Sequence, residues 1–109
     1  MMFMVPEITR KIKWIEIDSY YGLIYLPWDL IQKDDPTWED IKDYVSIFSE
    51  NQIWEINIIM GHGVRLSASG YLDCTEWCVF DTVEECIEHV HDAYSIVWDK
   101  EENEWKQAE

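Results

Sequence analysis

Basic residues are scarce in this chain of 109 residues, which has 8 Lys and Arg against 23 Asp and Glu and a net charge of −15. Direct binding of nucleic acid or of an anionic membrane requires clustered positive charge, because phosphates and lipid headgroups are negative. The composition therefore argues against both ligands. Any partner attracted by charge is a basic protein.

Cysteine, glycine, proline and long hydrophobic runs are also scarce. An odd set of three cysteines, in a chain long enough to form a core, does not fit the disulfide framework of a small secreted protein. No apolar stretch approaches the roughly 18 residues that span a bilayer, and the first residues do not resemble a signal peptide. With little glycine for linkers, we expect one compact cytoplasmic domain over residues 1–109 that makes no membrane contact.

Hydrophobic residues make up 48% of the chain, enough for a core, and their periodicity predicts both strands and helices. Residues 11–17 and 20–26 favour the two strands of a hairpin. Asp35 and Pro36 then favour the start of a helix that continues to Ser49. Its buried stripe is predicted to contain Trp38, Ile41, Tyr44, Val45 and Phe48.

A second half of the fold is predicted from residue 52 onward. Residues 52–60 alternate as a central strand does, with Trp54 on its apolar face, and the Gly61-His62-Gly63 sequence favours a tight turn into a strand over residues 64–68. Another turn at residues 70–73 would lead to a strand over residues 75–80. Asp81 or Thr82 is expected to cap a second helix, and the buried stripe of this helix comprises Val83, Cys86, Ile87, Val90 and Tyr94.

The order of these elements predicts an α+β domain: strand, an optional strand, helix, three strands and helix. We expect a mostly antiparallel sheet with two helices packed on one face. Residues 99–109 fit either a short hairpin or a frayed acidic tail.

A group of cysteine and histidine residues has the right chemistry for zinc but not a standard spacing. It comprises Cys74, Cys78, Cys86 and His89, with His91 nearby, and it leaves open a small zinc-binding or catalytic domain. Because Cys86 lies on an apolar helical stripe, we favour a core role for it and expect no metal site and no cofactor. No serine elbow or phosphate-binding glycine loop accompanies His62, so we expect a protein that is not an enzyme.

The most informative feature is a run of acids without bases. Residues 66–99 contain eight Asp and Glu and no Lys or Arg, whereas solvated helix faces usually interleave the two signs. Five acids between residues 81 and 92 would lie along about 16 Å of helix, a linear charge density comparable to that of a nucleic-acid strand. The candidate partner-binding residues are Asp73, Glu76, Glu84, Glu85, Glu88 and Asp92.

Two further sets of residues are candidates for the same surface. The acids of the first helix, Glu39, Asp40 and Asp43, would add charge. Trp28, Trp98 and Trp105 lie beside acids outside the apolar stripes, where large rings serve as interface anchors or cover the edges of a core.

These observations favour a small acidic inhibitor that occupies the basic, nucleic-acid-binding surface of a partner protein. Anti-restriction and anti-CRISPR proteins of phages and plasmids share this size and composition, although no motif here identifies one of those families. An immunity protein or antitoxin that neutralises a basic nuclease is the alternative with the same physics. A solvated surface that only confers solubility also fits the charge pattern.

Overall fold

The fold is mixed α+β with antiparallel strand pairing, as the sequence predicts at this level. The computed structural model describes residues 5–45, 48–67 and 75–107. Two short 3₁₀ turns, Trp28–Leu30 and Glu50–Gln52, accompany the strands and helices. In chain order, the strands and α-helices are β1 (Val5–Ile8), β2 (Ile12–Ser19), β3 (Gly22–Pro27), α1 (Trp38–Ile41), β4 (Ile53–Ser67), β5 (Cys78–Phe80), α2 (Val83–Tyr94), β6 (Ile96–Asp99) and β7 (Glu104–Gln107).

The longest strand, β4, organises the sheet. Its first part pairs with β2, which in turn pairs with β3, and its last part pairs with β1 and β5. The predicted turn at Gly61-His62-Gly63 is therefore wrong, because the strand continues through all three residues. The predicted turn at residues 70–73 lies outside the described residues.

The glycines of β4 are explained by close packing instead of a turn. A Cβ at Gly63 would overlap the ring of Trp14, and one at Gly61 would overlap Val79 of β5. Trp14 is fully buried, and its Nε1 donates a hydrogen bond to the carbonyl oxygen of Gly61 over 2.9 Å. Glycine is therefore required here because a ring from the neighbouring strand lies directly over the backbone.

An irregularity in the β2–β4 ladder changes which side chains of β4 face the core. Asp18 pairs with Glu55, but Ser19 pairs with Ile53, so Trp54 is an extra residue on its strand. Such a bulge interrupts the alternation that the sequence suggests. Trp54, predicted to be apolar-facing, is consequently 64% exposed, while Ile53 and Ile56 both pack against the core.

The first helix is much shorter than predicted. It begins after Thr37, whose backbone N–H donates to Asp40 Oδ2 over 2.9 Å, and it ends at Ile41. The prediction of a start at Asp35 and Pro36 and an end near Ser49 is thus wrong, although residues 46 and 47 lie outside the described part. Lys42 follows Ile41, and the next residues, Asp43, Tyr44, Val45 and Ser46, favour helix weakly.

Two hydrophobic clusters lie along β4. In the first, Ile15 and Ile17 of β2 pack against Ile41, Val45 and Phe48. In the second, Val64 and Leu66 of β4 pack against Cys86 and Val90 of α2 and Ile96 of β6. Beyond the bulge, the β4 residues in these clusters are Ile56, Ile58, Val64 and Leu66, which are separated by even numbers of positions and so lie on the same face of the strand.

The chain continues after α2 with a two-stranded hairpin. Ser95 adopts a left-handed conformation at the end of α2, and β6 then pairs with β7 in antiparallel register. Residues 96–107 therefore form a hairpin and not a frayed tail.

Candidate functional site

Helix α2 is positioned by a cap at its start and by an apolar side that faces the sheet. Thr82 Oγ1 accepts a hydrogen bond from the backbone N–H of Glu85 over 3.1 Å, as the predicted cap requires. Cys86 and Val90 are fully buried against β4 and β6. The opposite side of the helix is therefore turned toward solvent.

Three acids recur every four residues along that solvent-exposed side, and we call Glu84, Glu88 and Asp92 the acidic stripe. At about 100° and 1.5 Å per residue, successive members are turned by about 40° and rise by about 6 Å. All three are exposed. The structure therefore places these predicted partner-binding residues together on one surface.

The other predicted partner-binding residues are placed differently. Glu85 is exposed beside the stripe, but its carboxylate accepts a hydrogen bond from the Thr82 hydroxyl over 3.3 Å and belongs to the cap. Glu76 is exposed on the segment before β5. Asp73 lies outside the described residues.

The acidic stripe has no ion pair with Lys or Arg in the described part of the chain, whereas acids of α1 and of the C-terminal hairpin do. All eight Lys and Arg lie in the described ranges, and within them none forms an ion pair with a member of the stripe. The nearest ionisable contact is 3.5 Å between His91 Nδ1 and Asp92 Oδ1. The stripe therefore presents its negative charge without compensation from the chain's own lysines and arginines.

The acids of α1 show the contrast. Lys33 Nζ lies 2.7 Å from Asp40 Oδ1, and Lys42 Nζ lies 2.7 Å from Glu39 Oε2. The hydrogen bond from Lys33 is the main cause that lowers the pKa of Asp40 below its usual value. These carboxylates are engaged within the fold, so the structure does not join them to the stripe.

Acids of the C-terminal hairpin are compensated in the same way. Lys106 Nζ lies 3.0 Å from Asp99 Oδ2 and 2.9 Å from Glu102 Oε2. The hydrogen bond from Lys106 is the main cause that lowers the pKa of Asp99. The negative charge of this region is therefore partly neutralised by one lysine.

Beside the stripe lies an open groove between α2 and the C-terminal hairpin. Trp98 of β6 stacks edge to face on Trp105 of β7, with ring centroids 5.1 Å apart. We define the Trp98 groove as two adjoining hollows that share Ile87 and Trp98 and have volumes of about 410 and 440 Å³. The first is otherwise lined by Pro6, Ile8, Val83 and Trp105, and the second by Glu84, Glu88, His91, Val97 and Lys100.

The sequence identifies only part of this groove. Trp98 and Trp105 stand out because they lie among acids, but Pro6, Ile8 and Val97 come from strands whose approach to α2 is a tertiary property. Trp28, the third candidate, lies elsewhere: Lys13 Nζ is 4.9 Å from its ring centroid, and its Nε1 donates to the Lys33 carbonyl oxygen over 3.1 Å. It packs against the first hydrophobic cluster.

The described members of the cysteine and histidine group, Cys78, Cys86, His89 and His91, do not converge as a zinc site requires. Within the residues described, no three Cys, His, Asp or Glu side chains are grouped to hold a metal ion, and Cys74 lies outside them. Burial raises the pKa of the thiols of both Cys78 and Cys86, which disfavours the thiolate that zinc binds. The ring of His89 packs against Phe80 and Tyr94, with centroids 5.2 and 6.3 Å away.

His62 is also used inside the fold. It lies within β4, paired with Phe80, and its Nδ1 is 2.9 Å from the carbonyl oxygen of Thr9. The prediction that it is a polar turn residue is therefore wrong.

Cys86 makes alkaline pH an expected denaturing condition. Burial, as the largest cause, raises the pKa of its thiol from 9.0 to about 11. The thiol ionises at a lower pH in the unfolded chain than in the folded one. The stability that the buried, neutral thiol provides is therefore complete below about pH 9 and is lost as pH rises through about 11. We expect the free energy of unfolding to fall more steeply over this range in the wild type than in Cys86→Ala. Urea unfolding, followed by tryptophan fluorescence at several pH values, measures the two slopes, and equal slopes would contradict the assignment.

Comparisons with known proteins found no protein-family model, no curated protein and no solved structure that matches this chain. Within the described ranges, no helix has the length and hydropathy needed to cross a bilayer.

Proposed function

We propose that this protein is a non-enzymatic inhibitor that binds the nucleic-acid-binding surface of a basic partner protein through the acidic stripe. The observation that carries the proposal is the stripe itself: three exposed carboxylates at successive turns of α2, with no lysine or arginine of the described chain paired to them. Each i,i+4 pair of like charges costs a few tenths of a kcal/mol in an isolated helix. A cationic partner would relieve that repulsion on binding.

Charge spacing supports a nucleic-acid-binding surface as the target. Glu85 keeps its charge beside the stripe while it accepts the Thr82 hydrogen bond, so four acids lie over about 12 Å of helix. Their mean spacing is about 4 Å, against about 3.4 Å between phosphates along the axis of a nucleic-acid strand. A groove that attracts phosphates would attract this helix at long range and accelerate association. The net charge of −15 acts in the same direction.

The test is reversal of the stripe. We expect the combined variant Glu84→Lys, Glu88→Lys, Asp92→Lys to keep its circular dichroism spectrum, because the substituted side chains are exposed. Wild-type protein, immobilised and exposed to a lysate of its native host, should retain a nucleic-acid-binding protein that duplex DNA or RNA displaces. The variant should associate with that protein about tenfold or more slowly at low salt, with a smaller difference at high salt.

A charge-matched control separates the stripe from net charge. Asp34, Asp35 and Glu50 are exposed acids outside α2, and their replacement by Lys changes the net charge by the same amount. This control should associate much faster than the stripe variant. Equal losses in both variants, or retention only of proteins that do not bind nucleic acid, would contradict the proposal. A captured toxin nuclease encoded beside this protein would instead assign the immunity or antitoxin role.

A further inference from the structure

The Trp98 groove combines an apolar hollow with an acidic rim. Its first hollow has only apolar side chains, whereas Glu84 and Glu88 of the acidic stripe line the adjoining one. Ile87 and Trp98 line both hollows, so a ligand that contacts the carboxylates also lies next to the apolar surface. Apolar and acidic recognition are therefore contiguous.

We propose that the Trp98 groove receives an apolar side chain of the partner that is flanked in sequence by Lys or Arg. The proposal rests on the proposed function and names the partner chemistry at the same surface. The cationic neighbours would lie against Glu84 and Glu88, and the apolar side chain would lie between Ile87 and Trp98. Charged pairs at an exposed rim mainly set the association rate, whereas a buried apolar anchor sets how long the complex lasts.

Charge complementarity selects this occupant over a second copy of the chain. A second copy would also carry a net charge of −15 and would bring further carboxylates toward Glu84 and Glu88. Lys100 is the only Lys or Arg that lines the groove as described, so an acidic ligand would meet two carboxylates for each ammonium group. A basic segment with an apolar side chain satisfies both parts of the groove.

Two synthetic peptides provide the test. Both carry the same Lys and Arg residues and are unstructured, but one has a central Leu where the other has Ser. Binding is measured by fluorescence anisotropy at about 50 mM and 500 mM salt. Since contact with the groove removes apolar surface of the leucine side chain from water, we expect the Leu peptide to bind about tenfold more tightly, and the ratio of affinities to persist at high salt.

Variants assign the apolar preference to the groove. Trp98→Ala should bring the affinity for the Leu peptide down to that for the Ser peptide, and the matched change Trp54→Ala should not, because Trp54 is exposed on β4. Ile87→Gln keeps the Trp98–Trp105 stack and should have the same effect as Trp98→Ala, provided that circular dichroism is unchanged. Reversal of the acidic stripe should weaken the binding of both peptides, and the Leu peptide should still bind more tightly than the Ser peptide.

The outcomes separate this inference from the proposed function. Equal binding of the two peptides, or a Leu preference that survives both Trp98→Ala and Ile87→Gln, overturns the groove assignment. The proposed function is tested independently, by capture of the partner through the acidic stripe, and would still stand after that result. Self-association that Trp98→Ala abolishes would assign a second copy to the groove instead. A preference for the Leu peptide that emerges only after deletion of residues 1–4 would assign those residues to the groove. Self-association of this kind and a preference that depends on the deletion would each overturn the inference.

Discussion

Gly63→Val should be among the most destabilising single substitutions in this protein. A Cβ at position 63 would overlap the Trp14 ring and come within 3.0 Å of Trp77. Trp14 is fully buried and tied to Gly61 by its Nε1 hydrogen bond, so it has no free space to move into. Overpacking typically costs about 1–3 kcal/mol, and we expect a loss of stability of at least about 3 kcal/mol because a ring and a backbone collide. Chemical denaturation gives the value.

Two comparisons isolate the steric cause. Gly22→Ala places a Cβ in open space at φ +104°, so its cost of about 1 kcal/mol should come from backbone conformation alone. Trp14→Leu shortens the side chain that meets position 63. The double variant Gly63→Val, Trp14→Leu should therefore be more stable than the sum of the single losses implies. Strict additivity would mean that the ring does not cause the effect.

Ile15→Ala and Leu66→Ala should each cost about 2–5 kcal/mol, because each removes a buried side chain from the centre of one cluster. Ile15 pairs with Ile58, eight positions before Leu66, which is about 26 Å along β4. At that distance the two losses should add to within about 0.5 kcal/mol.

A single unfolding transition is expected in all these variants. β4 contributes side chains to both clusters, so loss of either one removes support from the strand that the other packs on. Unfolding monitored by tryptophan fluorescence and by far-ultraviolet circular dichroism should coincide in each variant. Two separated transitions would show that the clusters fold independently, contrary to this account.

Much of the secondary structure could be predicted because its signals are local. The strand preference of β2, the capping pair Thr82 and Glu85, and the buried positions Cys86 and Val90 of α2 each depend on residues within a few positions of one another. The mixed α+β class follows from such signals. The predictions that Val83 and Tyr94 are buried on the same stripe are wrong, because both are exposed. The helix predicted to continue past Ile41 is too long because its apolar spacing is helical, although most of the residues there favour helix weakly.

In the candidate site, too, the features that depend on short spacings could be predicted and those that depend on tertiary contacts could not. Acids four residues apart must share one face of any helix, so the grouping of Glu84, Glu88 and Asp92 follows once α2 is recognised. Which acids remain uncompensated does not follow. Lys33 reaches Asp40 from outside α1, and Lys106 reaches Asp99 across a hairpin, and both contacts require the folded chain.

By itself, the sequence determined the charge of this protein, its α+β class and the side of α2 that carries negative charge, because these depend on composition and short spacings. Only the tertiary structure decided that Gly61 and Gly63 continue a strand, since the deciding contact is with Trp14, 49 positions before Gly63. It likewise decided that Trp98 and Ile87 form one groove beside the carboxylates. Such contacts join side chains that are distant along the chain, and no local preference encodes them.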